Sequence, residues 1–268
     1  MSEITEGINP PMITVNELTK TYDGKVDAIR DISLTIAKGE FTVIFGPSGV
    51  GKSTFLRCLN YMVKPTSGEV IIEGESVGDL STSKLLRLRS RVGMIFQSFN
   101  LVNRMTVLSN VMCGRLHSLS FLRALTYSFT HADHEAAIHA LQRAGLDDDE
   151  LYNRRSDTLS GGQQQRVAIA RMLVQNPKII LADEPVASLD MKMQHTIMRL
   201  ISDIATKDKI TVVMSLHHLD LAKQYASRII GLSDGQVAFD GPPESLSDDI
   251  IDNVFKIIDD KVVGTQDD

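Results

Sequence analysis

The run Gly46-Pro47-Ser48-Gly49-Val50-Gly51-Lys52-Ser53-Thr54 follows an apolar stretch, Phe41 to Phe45, and opens a segment of helical character. This order predicts a strand, a tight glycine-rich loop and a helix whose N-terminus faces the loop. Small residues let backbone N–H groups converge on a polyphosphate, and the helix end adds partial positive charge. In that reading all nine residues from Gly46 to Thr54 contact the ligand. Lys52 reaches the β- and γ-phosphates, and the Ser53 hydroxyl ligates Mg²⁺. A loop of this kind confines the fold to an α/β layer structure built on a buried parallel sheet.

Composition agrees. The 268 residues are 43% hydrophobic and carry a net charge of -6, values expected of a globular chain. Apolar runs such as Ile179 to Ala182 fall far short of the ~20 residues of a transmembrane helix. The polar start, Met1 to Pro11, lacks the order of an export signal, and a cytosolic location is expected. Cys58 and Cys113 fit a reducing compartment as small packing residues. Acidic residues bunch at Asp147-Asp148-Asp149-Glu150 and near the C-terminus, which argues against a nucleic-acid surface.

Along the chain, Ile13 to Leu18, Ile32 to Ile36, Phe41 to Phe45 and Gly68 to Ile72 are predicted strands, with turns at Asp23-Gly24 and Lys38-Gly39. Val92 to Phe96, Ile179 to Ala182, Thr211 to Ser215 and Arg228 to Leu232 read as buried strands alternating with helices, which implies a parallel sheet covered by helices on both faces. Between Gln97 and Asn176 the pattern turns helical; Ala136, Ala137, Ala140, Leu141 and Ala144 share one helix face. The expected division is a disordered start over 1–11, one nucleotide-binding domain over 12–241 with an inserted helical subdomain over about 98–176, and a C-terminal helix near Asp249 to Ile257 within a frayed tail over 242–268.

A Walker-type site needs a second strand that delivers a carboxylate to the Mg²⁺ shell, and Ile179-Ile180-Leu181-Ala182-Asp183 supplies Asp183. Glu184, next in the chain, stands where a carboxylate polarises a water for in-line attack on the γ-phosphorus. Farther upstream, Leu159-Ser160-Gly161-Gly162-Gln163 precedes a helical run, Gln164 to Gln175, stopped by Asn176-Pro177. Ser160 and the glycines thus sit at a second anion-binding helix end, which suggests a site completed by another molecule.

Together these motifs resemble the nucleotide-binding subunit of an ATP-binding cassette transporter over about Ile13 to Gly241. The resemblance implies a P-loop NTPase core, RecA-like with a mainly parallel sheet, plus an antiparallel β subdomain and an inserted α-helical subdomain. It further implies ATP and Mg²⁺ as ligands and ATP hydrolysis as the activity. By the same likeness Tyr22 stacks on adenine, and Gln97 joins the core to the helical subdomain and touches Mg²⁺ with Ser53 and Asp183. Leu159 to Gln163 form the signature, whose Ser160, Gly161, Gly162 and Gln163 contact the opposite subunit's ATP; Asp190 lies in the loop touching that subunit, and His217 is the switch histidine; His218 is then an exposed helix-start residue.

The segment Gly114 to Leu125, together with 182–190 and 216–222, resembles the phosphonate-import branch of that family. A phosphonate importer subunit, or one serving phosphite or another phosphorus oxyanion, is the reading this implies. Its alternatives are an amino-acid or methionine importer, an efflux or lipoprotein-release motor, and a soluble cassette ATPase in a cytosolic phosphonate-degrading complex. The implied partners are a second copy of the chain, an integral membrane permease and, indirectly, a substrate-binding protein. The implied location is peripheral, on the cytoplasmic face of the inner membrane. Ser98 to Val107, with Phe99, Leu101 and Met105, are the candidates for a permease groove.

Overall fold

The computed structural model describes residues 11–24 and 26–256. Expectations for Met1 to Pro10 and for 257–268, including the last residue of the predicted C-terminal helix and the frayed tail, lie outside those residues.

Two sheets carry the architecture. The first is antiparallel, with strands β1 (Pro11–Tyr22), β2 (Val26–Ala37), β4 (Ser67–Ile72) and β5 (Glu75–Ser76) in the order β2-β1-β4-β5. The second contains β3 (Phe41–Phe45), β6 (Val92–Ile95), β7 (Ile179–Asp183), β8 (Thr211–Leu216), β9 (Arg228–Ser233) and β10 (Gln236–Gly241), in the order β10-β9-β3-β8-β7-β6. Its pairs are parallel except for β10 on β9. Every residue of β3, β7 and β8 is buried, as expected of parallel strands covered on both faces.

The helices are α1 (Lys52–Leu59), α2 (Thr82–Arg89), α3 (Val107–Met112), α4 (Phe121–Leu125), α5 (His131–Arg143), α6 (Asp149–Tyr152), α7 (Gly161–Leu173), α8 (Met191–Asp208), α9 (Leu219–Tyr225) and α10 (Asp248–Lys256). Side chains alternate across β3. Phe41, Val43 and Phe45 enter a core shared with helical residues such as Leu141, Ile169, Ile201 and Val254. Ile44 enters a second core with Phe55, Leu56, Leu88 and the apolar faces of β1 and β2. Helices thus cover both faces, as expected, and on the second face α1 and α2 share the space with the antiparallel sheet.

The strand lengths differ from expectation for a physical reason. The hairpin β1-β2 runs to Tyr22 and Val26, well past the apolar stretches. Bulges between Val15 and Leu18 and between Leu18 and Lys20 break the two-residue alternation, and Glu17 and Asp31 take positive φ values of 48° and 49°. The polar end is held by side chains instead, with Thr21 Oγ1 donating to Asp27 Oδ1 at 2.7 Å. Strand β10 was not anticipated. It closes a hairpin through Asp234-Gly235, both at positive φ, the conformation that a two-residue turn demands.

Helix α7 begins three residues before the predicted Gln164. Ser160 is its N-cap, and the capping box with Gln163 stabilises a first turn that contains both glycines. Cys58 is fully buried, whereas the Cys113 thiol lies 2.9 Å from Tyr127 Oη. Among the described residues no helix is long and apolar enough to cross a membrane.

Candidate active site

The carboxyl ends of β3, β7 and β8 lie side by side, with Asp183 opposite Ser215 and Phe45 opposite Leu216 in the parallel register. Loops leaving these ends converge on a cleft of about 350 Å³ lined by Ala28, Ser48, Gly49, Gly51, Lys52, Ser53, Thr54, Gln97, Glu184 and His217. Crevices at the carboxyl ends of parallel strands are where open α/β sheets bind ligands.

The glycine-rich loop is shaped by contact with the sheets. At Gly51, φ is +106°, and a Cβ would lie 2.0 Å from the Ala28 carbonyl oxygen. Glycine is therefore required twice over, by conformation and by space. Lys52, 4% exposed, donates from Nζ to the carbonyls of Gly46 and Pro47, both at 2.8 Å. Burial lowers its pKa, opposed by the nearby charges of Glu184 and Asp183. The ammonium is thus held inside the arch of its own loop.

Asp183 ends β7 with its carboxylate almost fully buried. Ser53 Oγ donates to Oδ1 at 2.7 Å, Ser215 Oγ donates to the same oxygen at 3.0 Å, and Arg57 Nη2 reaches Oδ2 at 3.3 Å. Three donors offset the desolvation of the charge. Glu184 follows at φ +48°, a left-handed conformation costing about 1–2 kcal/mol for an L-residue. Its N–H donates to Ser215 Oγ at 2.9 Å, and its carboxylate pairs with His217 Nε2. This bend turns the Glu184 side chain into the cleft, away from the direction Asp183 takes.

Among the expected site residues, Ser48, Gly49, Gly51, Lys52, Ser53, Thr54, Gln97, Glu184 and His217 line one cleft, and Asp183 bonds to Ser53 behind it. Gly46 and Pro47 present carbonyls to Lys52, and Val50 is buried. Tyr22 does not line the cleft; it is 41% exposed at the end of β1, with Lys20 Nζ 5.0 Å from its ring centre. Ser160, Gly161, Gly162, Gln163 and Asp190 also lie outside it. They cluster with each other: Asp190 caps α8 through the Met193 N–H, and a Cβ at Gly161 would lie 3.5 Å from Leu189 and 3.7 Å from Phe99. His218 is exposed at the N-cap of α9.

Sequence reasoning passed over Ser215, Arg57 and Ala28. The only available signal for Ser215 was its place at the end of a predicted strand neighbouring Asp183.

The comparisons with known proteins decide the family. The family described as ABC transporter matches residues 29–187. The "Phosphonates import ATP-binding protein PhnC 3" of Halalkalibacterium halodurans is 45% identical over 258 residues, covering 96% of this chain and 99% of the relative. The chain belongs to the ABC transporter family. A second relative, "Phosphonates import ATP-binding protein PhnC" of Thiobacillus denitrificans, is 47% identical over 91% of this chain and 92% of its own length. Among solved ABC cassettes, a dimeric one in a post-hydrolysis state bound to ADP and Pi superposes with a TM-score of 0.77 at 37% identity, covering 88% of this chain and all of that one. CbiO1 of Clostridium perfringens, part of the ABC transporter complex cbiONQ, gives 0.76 at 28% identity and 96% coverage of both chains. The fold is that of an ABC ATPase, with the P-loop core expected from the sequence, and ATP is the nucleotide this family binds.

Proposed function

We propose that this chain is the ATP-hydrolysing subunit of a phosphonate importer, acting through a separate membrane permease on the cytoplasmic face of the membrane. The observation that carries the reading is the convergence of Lys52, Glu184 and His217 on one cleft, in a chain whose relatives of near-equal length carry phosphonate-import names. Those names favour this reading over a methionine importer, an efflux motor or a soluble complex. A phosphite or other phosphorus oxyanion belongs to the same substrate class. In that subunit the cassette domain spans 12–241, with its helical insertion over about 98–176.

In this reading ATP lies along the loop from Gly46 to Thr54, with its phosphates on the loop N–H groups and Lys52. Tyr22 stands at the strand end where the adenine emerges. Ser53 and Asp183 offer hard oxygen donors within 2.7 Å of each other, and Gln97 lines the same cleft, a donor set suited to Mg²⁺. When bound, the cation neutralises charge on the β- and γ-phosphates.

The site is completed in a head-to-tail dimer. Ser160, Gly161, Gly162 and Gln163, lying outside their own chain's cleft, face the partner's γ-phosphate, and Asp190 contacts the partner beside them. A dimeric cassette among the solved relatives supports this arrangement. The Glu184 carboxylate accepts a proton from water as the water oxygen bonds to the γ-phosphorus and the bond to the ADP oxygen breaks, leaving ADP and phosphate. His217, paired with Glu184, holds the carboxylate in position and senses the γ-phosphate. Loss of that phosphate removes the bridge between Lys52 of one copy and Ser160 of the other, and the dimer opens.

The test is growth of a deletion strain, lacking redundant systems, on a phosphonate or on inorganic phosphate as sole phosphorus source. Failure on phosphonate alone, restored by the wild-type chain and not by Glu184→Gln, is the expected result. Unimpaired growth on phosphonate would overturn the assignment.

A further inference from the structure

Lys192, His195, Arg199 and Asp203 stand at intervals of three or four residues along one face of α8. With Arg166 of α7 they line a cavity of about 470 Å³ that shares no residue with the nucleotide cleft. That volume lies in the range of small-molecule sites. Three cations and a histidine meet a single carboxylate there, in a chain whose net charge is -6.

An ordinary solvated helix face interleaves its cations with acids, and this one does not. Among the described residues no carboxylate forms an ion pair with Arg166, Lys192 or Arg199, Asp203 included. Asp208, farther along α8, is taken by Arg143 of α5. Lys192 sits in the first turn of α8, which contains no acidic residue, so its charge adds to the positive helix end where an acid would offset it. Arg166 is held in place from behind. Its Nη1 donates to the carbonyl of Ala144, the C-cap of α5, at 2.7 Å. The next residue, Gly145, has a φ of +75°, and a Cβ on it would lie 2.3 Å from that nitrogen. A half-buried guanidinium anchored at one nitrogen keeps its other N–H groups in a fixed fork, a geometry matched to tetrahedral oxyanions.

We propose that this cavity binds a small phosphorus oxyanion, either free phosphate or the phosphonate group of a small molecule. The three cations supply the charge that such an anion needs. Asp203 supplies the selectivity: an ionised carboxylate only accepts hydrogen bonds, so it repels sulfate, which carries no proton, and accepts the O–H that a phosphorus oxyanion retains near neutral pH. The bound anion bridges α7, which begins after Ser160, and α8, which Asp190 caps. Occupancy is independent of what a permease carries.

The experiment titrates inorganic phosphate, methylphosphonate and sulfate calorimetrically into the full chain, with the nucleotide cleft filled by Mg²⁺ and ADP. Wild type is compared with Lys192→Gln/Arg199→Gln, with Lys192→Gln alone and with Asp203→Asn. The expected result is binding of a phosphorus anion in preference to sulfate, at least about tenfold weaker in the double variant and weakened in the same sense, by less, in Lys192→Gln. In Asp203→Asn the preference over sulfate narrows, and the basal ATPase of every variant stays at the wild-type level. The tighter of phosphate and methylphosphonate identifies which source the cavity serves. Equal binding by wild type and the double variant, or no binding up to about 10 mM, would overturn the site. Sulfate bound by the wild type as tightly as both phosphorus anions would overturn the selectivity assigned to Asp203. Charge-dependent binding of anionic vesicles or of an oligonucleotide, without binding of either small anion, would replace the small ligand by a polyanionic surface.

Discussion

The Ser215 hydroxyl donates to Asp183 Oδ1 at 3.0 Å while accepting the N–H of Glu184 at 2.9 Å. One oxygen thus fixes both the carboxylate that faces Ser53 and the backbone bend that aims Glu184 into the cleft. Ser215→Ala removes both bonds and leaves Asp183 with Ser53 and Arg57 as its remaining donors. Turnover is expected to fall about tenfold, equivalent to ~1.4 kcal/mol, with the KM for ATP changed by less than about threefold. Ser215→Thr keeps the hydroxyl and restores most of the rate. Steady-state ATPase measurements on the three proteins decide the matter; an unaffected kcat in the alanine variant would exclude a positioning role.

Replacing Glu184 with Gln retains the shape of the side chain and the backbone bond to Ser215 but removes the proton acceptor. Turnover is expected to drop by about 10² to 10⁴, the range ascribed to a general base. ATP binding persists, and the bound form accumulates as a dimer. Size-exclusion chromatography in ATP reads out that dimer, and hydrolysis at the wild-type rate would dismiss Glu184 from the reaction.

Gly51→Ala combines two penalties, a left-handed residue and a methyl group driven against the Ala28 carbonyl. The expected loss of stability is about 2–4 kcal/mol, together with loss of nucleotide affinity because the loop N–H groups can no longer converge. Urea unfolding and a fluorescent nucleotide titration measure the two separately. A variant with normal stability would mean that β2 yields more easily than its packing suggests.

Asp133 accepts hydrogen bonds from the backbone and hydroxyl of Thr130 and from Arg115, and these lower its carboxyl to about 2 from an ordinary value of 3.8. A depressed folded-state pKa gives stability that is complete above the unfolded value and lost as pH falls from near 3.8 through about 2. Thermal melts of the wild type across that interval should lose stability more steeply than those of Asp133→Asn. Parallel curves would show that the charge of Asp133 contributes nothing to holding α5 against the segment that carries Arg115 and Arg123.

Much of the site was legible because its chemistry is local. The loop from Gly46 to Thr54 needs glycine at strained positions and a cation beside them, and Asp183 sits at the end of a strand whose apolar run announces burial. Ser160 and its glycines were legible at a helix end, although the helix begins at Gly161 and not at Gln164. What escaped depends on neighbours distant in sequence. Ser215 acquires its role only from the register of β8 against β7, and Arg57 only from the approach of α1 to Asp183. The long β1-β2 hairpin was hidden by bulges that disrupt its alternation. Even β10 carried a turn signal, Asp234-Gly235, but its side chains alternate weakly at the sheet edge, where only one neighbouring strand demands burial.

Under the proposed function, the Lys52 ammonium, seated on the carbonyls of Gly46 and Pro47, would make nucleotide capture an exchange in place of a simple addition. The loop acts as its own competing ligand, so an anion is retained only if it offers the lysine more than two carbonyl oxygens already do. A short phosphate chain that cannot extend to Nζ must leave that internal contact in place and forgo the charge. Under the proposed function, the carbonyl arch would thereby work as a threshold on the length of the polyphosphate.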